Sequence, residues 1–344
     1  MGVRRALAFI LSGLIVQSAC LAVASAEEAD TSGRKIILGI PSSPGGAYDG
    51  YSRLLTRHIS RHLSGNPTVI AQNVPAGGGL VLVNQLFNTA PRDGTYFAMV
   101  RTSTLYEEVY GNSAVKFEGR KLTWLGNLNA DRDTCVTWHT SGINSFADLY
   151  TREAVVGSAG AGAMSASMPL IYNEFLGTKF KVILGYRGTP ERILAMEKGE
   201  LQANCGLTTV SLRTTGGQNF TDGKIRVLVQ AGLTPDPAFP DVPNILDEAK
   251  TPEARQALEF VFLQMELGRP YAAPPSLPPE AAQRLRTAFM ATTRDAEFLA
   301  EAKKLQLDIG AIDGAATAER VGRIYSTPKA IADRVGAAMT KSGN

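Results

Sequence analysis

Two glycine-rich turns near the start of the chain each join a strand-like run to a helix. The first turn, Pro44–Asp49, follows the apolar run Lys35–Ile40. The second turn, Pro75–Gly79, follows the run Thr68–Ala71. Glycine lets the backbone approach a ligand closely, and a helix N-terminus presents unpaired N–H groups with partial positive charge. The two turns therefore predict two sides of one anion-binding cleft.

The N-terminus has the pattern of an export signal. Arg4-Arg5 precedes the apolar stretch Ala6–Cys20, and Ala24–Ala26 supplies a small-x-small cleavage pattern. The apolar stretch is shorter than the roughly 20 residues that a membrane helix needs. We therefore expect residues 1–26 to be a cleaved signal peptide and the mature protein to be periplasmic.

Lipidation of Cys20 is the competing interpretation of the same segment. It is less favoured because Gln17 occupies the position where a lipoprotein signal has an aliphatic residue.

Loss of the two signal arginines lowers the net charge from +3 to +1. A nearly neutral chain argues against nucleic acid as a partner.

The mature chain contains two cysteines, Cys135 and Cys205. An even number of cysteines in an oxidising compartment indicates one disulfide, and two buried thiols are the alternative. A disulfide closing so long a loop would stabilise the fold by about 4 kcal/mol in the chain-entropy model.

Strand-like and helix-like segments alternate along the chain, which predicts an α/β fold with mostly parallel sheets. The first helix shows an apolar stripe from Tyr51 to Leu63 at three- and four-residue spacing. A third glycine turn, Gly157–Gly162, follows a strand-like run, and Gly185–Pro190 follows another. From Pro252 onwards the pattern is largely helical.

The sequence carries few signs of catalysis. His58 and His62 have the i, i+4 spacing of a metal pair, but the zinc-protease pattern needs Glu where Ile59 stands, so packing at the edge of the apolar stripe is favoured. Neither a G-x-S-x-G elbow nor a phosphate-binding P-loop is present. We expect no metal, no cofactor and no enzymatic activity.

A dinucleotide-dependent oxidoreductase is the alternative enzyme hypothesis. Gly160–Ser165 resembles a degenerate dinucleotide fingerprint after a strand, and Arg187 would suit a 2′-phosphate. The third glycine of that fingerprint is replaced by Ser165, and no acidic residue follows for a ribose. The hypothesis also leaves the first two glycine turns unexplained.

Asp49 lies in the first helical turn after the first glycine turn. It is either a dipole-favoured acid at the helix N-terminus, or a ligand contact or an orienter of the ligand loop. Arg53, one turn later, is placed to pair with it. Arg101 and Arg187 each follow a strand end, where an arginine either grips a carboxylate or remains solvated.

An ordered series of motifs resembles the Bug family, the periplasmic substrate-binding receptors of tripartite tricarboxylate transporters. The series covers nearly all of the mature chain. It comprises Pro44-Gly45-Gly46 with Asp49 and Arg53, Asn73-x-Pro75 with its glycines, Pro91-x-Asp93-Gly94, Gly157-Ser158-x-Gly160-x-Gly162, Tyr186–Glu191, Gly199–Leu201, Pro240-x-Val242-Pro243 and Ala273–Pro275.

The resemblance implies a two-lobed periplasmic binding protein of type II, a Venus flytrap, with a helical C-terminal tail. Lobe 1 would comprise residues 34–128 and 232–325, lobe 2 residues 129–231, and the tail residues 326–344. In the family a carboxylate ligand lies between the lobes, where backbone N–H groups, hydroxyls and bridging waters hold it.

The resemblance implies ligand contacts at matching positions of both lobes. Lobe 1 would supply Gly45, Gly46, Ala47, Tyr48, Asp49, Ala76, Gly77 and Gly78, and lobe 2 Ser158, Gly160, Gly162, Tyr186, Arg187 and Gly188. Thr102 and Ser103 are added as candidates at the end of the third strand. Two positions depart from the family pattern: the order of Ala76 and Gly77, and Ala163 where the family usually has serine.

The resulting hypothesis is a monomeric periplasmic solute-binding protein. It would capture a small carboxylate, either a di- or tricarboxylate or an aromatic acid, for the membrane subunits of a tripartite tricarboxylate transporter. A periplasmic receptor that reports ligand occupancy to a sensor protein is the alternative binding hypothesis. The two hypotheses differ in the protein partner.

Overall fold

The computed structural model describes residues 33–45, 47–160, 163–186 and 188–340. The predicted signal peptide with Cys20, and the predicted ligand contacts Gly46, Gly162 and Arg187, lie outside the described residues. None of the described helices combines the length and the apolar character needed to cross a membrane.

The described residues form strands and helices that alternate through most of the chain. The strands are β1 Lys35–Ile40, β2 Thr68–Asn73, β3 Tyr96–Met99, β4 Thr123–Asn127, β5 Asp133–Trp138, β6 Ala154–Ser158, β7 Phe180–Leu184, β8 Ala203–Thr208, β9 Ile225–Ala231, β10 Pro270–Ala273 and β11 Ile312–Asp313. The helices are α1 Ala47–Ile59, α2 Leu80–Asn88, α3 Ser103–Val109, α4 Met164–Leu176, α5 Thr189–Glu197, α6 Thr209–Thr221, α7 Pro252–Glu266, α8 Pro279–Thr292, α9 Ala296–Lys304, α10 Gly314–Ser326 and α11 Lys329–Thr340.

Two separate sheets organise the molecule. The six-stranded sheet has the order β11-β4-β10-β3-β1-β2, and we call the part built on it lobe 1. The five-stranded sheet has the order β7-β6-β8-β5-β9, and the part built on it is lobe 2. In each sheet three strands pair in parallel, β2-β1-β3 in lobe 1 and β7-β6-β8 in lobe 2.

Each sheet also contains antiparallel pairs, which the alternating pattern did not predict. β10 runs antiparallel to β3 and β4, and β5 runs antiparallel to β8 and β9. Only residues 128–132 separate β4 from β5, so the chain leaves one sheet and enters the other without an intervening helix.

The first helix begins directly after the first glycine turn, and its apolar stripe is buried. Tyr51, Leu54, Leu55 and Ile59 are each at most 5% exposed, and they belong to the core of lobe 1. A 3-10 turn, Ser60–His62, continues the helix. Burial of this stripe fixes α1 against the sheet and thereby fixes the position of its N-terminal turn.

The C-terminal helix packs across other helices. α11 contacts α4 and α7. Arg334 pairs with Glu174 of α4 at 2.8 Å and with Glu253 of α7 at 2.6 Å. One apolar cluster continues from lobe 1 through these helices into lobe 2. The predicted lobe boundaries, and the treatment of 326–344 as a tail, stay predictions.

Candidate functional site

The predicted ligand loops follow the carboxyl ends of parallel strands. In lobe 1 these are the ends of β1, β2 and β3, and in lobe 2 those of β6 and β7. Ligands of open α/β sheets bind outside the carboxyl ends of the strands. Each lobe therefore gathers its own predicted loops at a single edge of its sheet.

Tyr48, in the first glycine turn, lies beside two arginines. The guanidinium carbon of Arg101 is 5.1 Å from the centre of the Tyr48 ring, and that of Arg269 is 4.7 Å from it. Arg269 also lies 5.0 Å from the ring of Tyr51. Cations over aromatic faces are held by the ring quadrupole. The first turn therefore has two positively charged side chains next to its aromatic residue.

Asp49 is buried and fully engaged within lobe 1. Its carboxylate accepts hydrogen bonds from the Gly45 amide at 3.0 Å, Arg53 Nε at 2.9 Å and Asn73 Nδ2 at 2.8 Å. Burial raises the pKa of Asp49, but the hydrogen bonds from Arg53, Asn73 and Gly45 outweigh it, so the pKa lies below its ordinary value. Asn73 Nδ2 also donates to the Ser42 carbonyl at 2.8 Å. The contacts of Asp49 favour a role as orienter of the first turn.

Replacing Asp49 with Asn should lower the free energy of unfolding by about 2 kcal/mol, because an amide turns an NH2 group towards the Arg53 and Asn73 donors. Urea unfolding measures the loss. The matched control is Asp93→Asn, because the exposed Asp93 carboxylate accepts its hydrogen bonds from Thr95 within its own turn. The control should cost about 0.5 kcal/mol. Equal losses for the two variants would contradict the orienting role.

The second glycine turn has an unusual backbone. Gly77, Gly78 and Gly79 have φ values of +62°, +63° and +99°, a left-handed run that residues with side chains rarely adopt. Ala76, Gly77 and Gly78 are exposed. The Gly78 carbonyl accepts a hydrogen bond from Arg101 at 3.4 Å. Arg101 thus connects the two glycine turns of lobe 1.

Of the two candidate ligand contacts at the end of β3, Thr102 is buried and Ser103 is exposed. Thr102 is 5% exposed, and its hydroxyl donates to the Leu267 carbonyl. Ser103 is exposed at the first residue of α3. Ser103 and the half-buried Arg101 are therefore the residues of this loop that are accessible to a ligand.

In lobe 2, Ser158 ends β6 as a buried hydroxyl. Its Oγ donates to the Gly160 carbonyl at 3.1 Å and shares a hydrogen bond of 2.7 Å with Ser165 Oγ. Ala163 is the N-cap of α4 and provides no side-chain cap. The Ser158–Ser165 bond instead ties the third glycine turn to the first turn of α4.

Tyr186 lies over the strand that carries the third glycine turn. A Cβ atom at Gly157 would come within 2.7 Å of the Tyr186 ring, so only glycine allows this contact. Gly188 follows as the N-cap of α5, with an extended backbone and no side-chain cap. Tyr186 and Gly188 thus lie beside the loop of Ser158 and Gly160.

A cavity of about 800 Å³ opens between the lobes. Ala47 of lobe 1 and Thr208–Ser211 of lobe 2 both line it, so the β1 loop faces the β8 loop. Arg269 and Asp131 also line it and form an ion pair of 3.0 Å beside the crossing from β4 to β5. No hydrogen bond among the described residues joins the predicted contacts of lobe 1 to those of lobe 2.

The two helical histidines pair with acids of other elements. His58 Nε2 lies 2.6 Å from Glu301, and His62 Nε2 lies 2.9 Å from Asp295. His58, Asp295 and Glu297 are close enough together to hold a metal ion. The guanidinium group of Arg61 already contacts all three of these residues. Its positive charge occupies the place that a metal cation would take.

The sequence analysis did not identify two arginines, Arg269 of the cleft and the buried Arg192. Arg269 precedes β10, a strand that was not predicted, so its place at the sheet edge had no local signal. Arg192 is only 6% exposed and lies on the buried face of α5 with Ile193 and Met196. A basic residue on an apolar helix face was the available signal for Arg192.

Comparison with known proteins places these features in a common fold. The sequence profile of the tripartite tricarboxylate transporter family receptors (TctC) matches residues 52–331. A TctC solute-binding protein from Polaromonas, solved without ligand, has a TM-score of 0.71 at 18% identity, covering 88% of this chain and 98% of its own.

Two carboxylate-bound structures from Rhodopseudomonas palustris are also similar. MatC with bound malate has a TM-score of 0.57 at 18% identity and covers 88% of this chain and 99% of its own. Rpa4515 with adipate has a TM-score of 0.56 at 15% identity and covers 88% of this chain and 97% of its own. No curated protein sequence matches the chain.

These matches confirm the predicted α/β fold of a two-lobed periplasmic binding protein with a C-terminal helix. They also confirm the predicted family, because the profile extends over most of the chain. The chain belongs to the TctC family of tripartite tricarboxylate transporter receptors.

Proposed function

We propose that this protein captures a small carboxylate between its lobes and delivers it to the membrane subunits of a tripartite tricarboxylate transporter. The ligand class comprises di- and tricarboxylates and aromatic acids. The observation that carries the proposal is the convergence of both lobe 1 glycine turns on Arg101, for which the described residues provide no ion-pair partner. An arginine beside exposed backbone N–H groups is suited to bind a carboxylate.

Family membership and two relatives support the choice of ligand. The relatives bind malate and adipate, which are both small dicarboxylates. In this chain, lobe 1 would bind the ligand through Gly45–Tyr48, Ala76–Gly78, Arg101 and Ser103. Lobe 2 would bind it through Ser158, Gly160, Tyr186 and Gly188, and Gly46, Gly162 and Arg187 belong to the same loops.

The proposed mechanism is closure of the two lobes about the crossings near residues 129–132 and 232–235, with no covalent step. The three histidines lie away from the loops, which supports the absence of catalysis. His58 and His62 contact α9, and His139 follows the end of β5 opposite to the cleft edge. The packed helices α7 and α11 would lie on the side of the molecule where the two lobes remain in contact while the cleft opens.

The proposed setting is the periplasm, with a signal peptide cleaved after Ala26 and a monomeric mature protein. Lipidation at Cys20 remains the less favoured route to the same compartment. The proposed lobes keep the predicted bounds, 34–128 with 232–325 and 129–231.

The proposal predicts thermal stabilisation by carboxylates. A ligand at a hundredfold excess over its Kd should stabilise the protein by about 2.7 kcal/mol, which raises the Tm by several degrees. A panel of di- and tricarboxylates and aromatic acids is compared with the amides of the same carbon skeletons, which should give no shift. NADP(H) belongs in the panel as a probe of the oxidoreductase alternative.

Bound ligand from the expression host would mask such a shift. The protein is therefore unfolded, dialysed and refolded first, and mass spectrometry identifies any released small molecule. If the ligand-free protein shows no shift with any carboxylate, the proposed function is wrong.

A further inference from the structure

A groove of about 540 Å³ lies between helices α8 and α10 of lobe 1. Thr287, Met290 and Ala291 of α8 line one wall, and Ala315 and Ala318 of α10 line the other. Thr287, Ala315 and Ala318 are exposed, and Met290 and Ala291 are half-buried. The opposite face of α8 packs into the core of lobe 1. The groove is therefore an accessible surface formed by short and apolar side chains.

Two arginines of the groove lack acidic partners. Neither the Arg286 nor the Arg294 guanidinium group has a carboxylate of the described residues within 4.0 Å. Arg286 Nε donates to the Trp124 carbonyl at 2.9 Å, and the exposed Arg294 side chain makes no hydrogen bond within the described part of the chain. The acid that lines the groove, Asp313, already accepts from the Ala316 amide at 2.8 Å as the N-cap of α10. The groove therefore carries a net positive charge.

The two arginines lie at the ends of a short row. Arg286, Met290 and Arg294 are four residues apart, a spacing that places them on one face of α8 and of the turn that ends it. Eight residues of helix span about 12 Å. A methionine side chain adapts its shape to irregular apolar partners. The row thus matches a segment that carries apolar side chains between two carboxylates.

The groove adjoins the cleft between the lobes. Ile312 lines the cavity of the cleft, and the next residues, Asp313 and Gly314, line the groove. The two surfaces therefore meet at β11, the edge strand of the lobe 1 sheet. A Cβ atom at Gly314 would collide with the Trp124 carbonyl and with Arg286, so this glycine allows α10 to begin directly against β4. A protein bound in the groove would lie beside the cleft.

We propose that the groove is the docking surface for the membrane subunits of the transporter, and that its occupant is an acidic periplasmic segment with apolar side chains between its carboxylates. The inference rests on the proposed function, because a receptor that delivers a ligand brings its cleft to the membrane subunits. Carboxylates of the segment pair with Arg286 and Arg294, and its apolar side chains cover Met290 and Ala318. Complementary charges of this kind steer association and fix its orientation.

Photo-cross-linking from the groove identifies the occupant. The protein carries a benzophenone amino acid in place of Thr287 and is illuminated with inner-membrane vesicles of the native host. Mass spectrometry should map the cross-link to a segment of a tripartite transporter membrane subunit that contains Asp or Glu. The yield should fall about tenfold when the ionic strength rises from about 0.05 M to about 0.5 M, because salt screens exposed charge pairs. Liposomes of phosphatidylglycerol and phosphatidylethanolamine, illuminated in the same way, detect docking on lipid.

Charge reversal assigns the docking to the two arginines. Arg286→Glu/Arg294→Glu should reduce the cross-link yield by about tenfold or more, because like charges then face each other. Arg294→Glu alone should reduce it several-fold, and this change disturbs no hydrogen bond of the described residues. Ala318→Trp should also reduce the yield, because its ring fills the groove. The matched control is Lys116→Glu/Arg226→Glu, which changes the net charge equally at exposed positions outside the groove and should leave the yield unchanged.

Carboxylate binding separates failure of this inference from failure of the proposed function. Isothermal titration with the carboxylate that gives the largest Tm shift should find the same Kd for the wild type and for every groove variant, because no predicted ligand contact lies in the groove. Absence of a cross-link, a cross-link to lipid or to a second copy of this chain, or a yield unchanged by charge reversal would overturn the docking surface and leave carboxylate binding intact. If the wild type binds no carboxylate, the proposed function fails, and the mapped cross-link still decides which partner the groove binds.

Discussion

Reduction of the disulfide between Cys135 and Cys205 should lower the free energy of unfolding by about 4 kcal/mol. The structure joins these cysteines across the neighbouring antiparallel strands β5 and β8, and the bond closes a loop of 70 residues. In the chain-entropy model, a cross-link over a loop of this length removes much of the freedom of the unfolded chain. Both sulfur atoms are in the core, where each cysteine is 0% exposed.

Urea unfolding of the oxidised and the reduced wild type isolates the cross-link, because the two forms differ only by two hydrogen atoms. The Cys135→Ala/Cys205→Ala variant is the control for the reducing agent, and its midpoint should be the same with and without reductant. Alkylation of the unfolded, unreduced protein followed by mass spectrometry should find both positions blocked. Coincident unfolding curves for oxidised and reduced wild type would refute the prediction.

The disulfide was predictable because its signal is compositional, and the glycine turns were predictable because their signal is local. β1 has the predicted bounds, Lys35–Ile40. An apolar run followed by glycine and an amphipathic helix specifies a strand, a turn and a helix within about 25 residues. The family resemblance used the same local motifs in their order along the chain.

Several elements had no comparable local signal. β4, with the sequence TWLGN, and β10, with PYAA, are short, and they become strands because each is buried beside the other in the lobe 1 sheet. α6 contains two glycines and four threonines and lacks an apolar stripe. Its contacts with β9 and α5 hold it in place. Tertiary packing overrides weak propensity in all three cases.

The same distinction applies to the site. Asp49 was identified from its position after a glycine turn, but its partner Asn73 is the last residue of β2, and the sequence alone does not bring the two residues close. Arg269 reaches Tyr48 from the far end of the chain, because β10 inserts between β3 and β4. Local motifs therefore predicted the loops and Arg101, and the fold was needed to place Arg269 beside Tyr48.

The buried carboxyl group of Asp133 should make the protein less stable as the pH rises. Asp133 is the first residue of β5 and is 5% exposed. No donor among the described residues lies within hydrogen-bond distance of its carboxyl group. Burial, with a smaller contribution from the nearby charge of Asp131, raises the pKa of Asp133 to about 7.

The sign follows from the order of the two pKa values. The ordinary aspartate pKa of the unfolded chain, 3.8, lies below the folded pKa of about 7. Between these pH values the unfolded chain releases the proton while the folded protein retains it, so the equilibrium shifts towards unfolding as pH rises. The stability is fully present below pH 3.8 and is lost by the time pH passes 7. The expected loss between pH 5 and pH 8 is about 3 kcal/mol.

Asp133→Asn tests this directly, because an amide has nearly the shape of the protonated acid and cannot ionise. Compared with the wild type, the variant should gain about 3 kcal/mol of stability between pH 5 and pH 8, measured by urea unfolding in buffers of equal ionic strength. Asp241→Asn makes the same chemical change at an exposed position and should show no comparable rise. A stability difference for Asp133→Asn that stays constant across this range would show that the carboxyl group is already ionised in the fold.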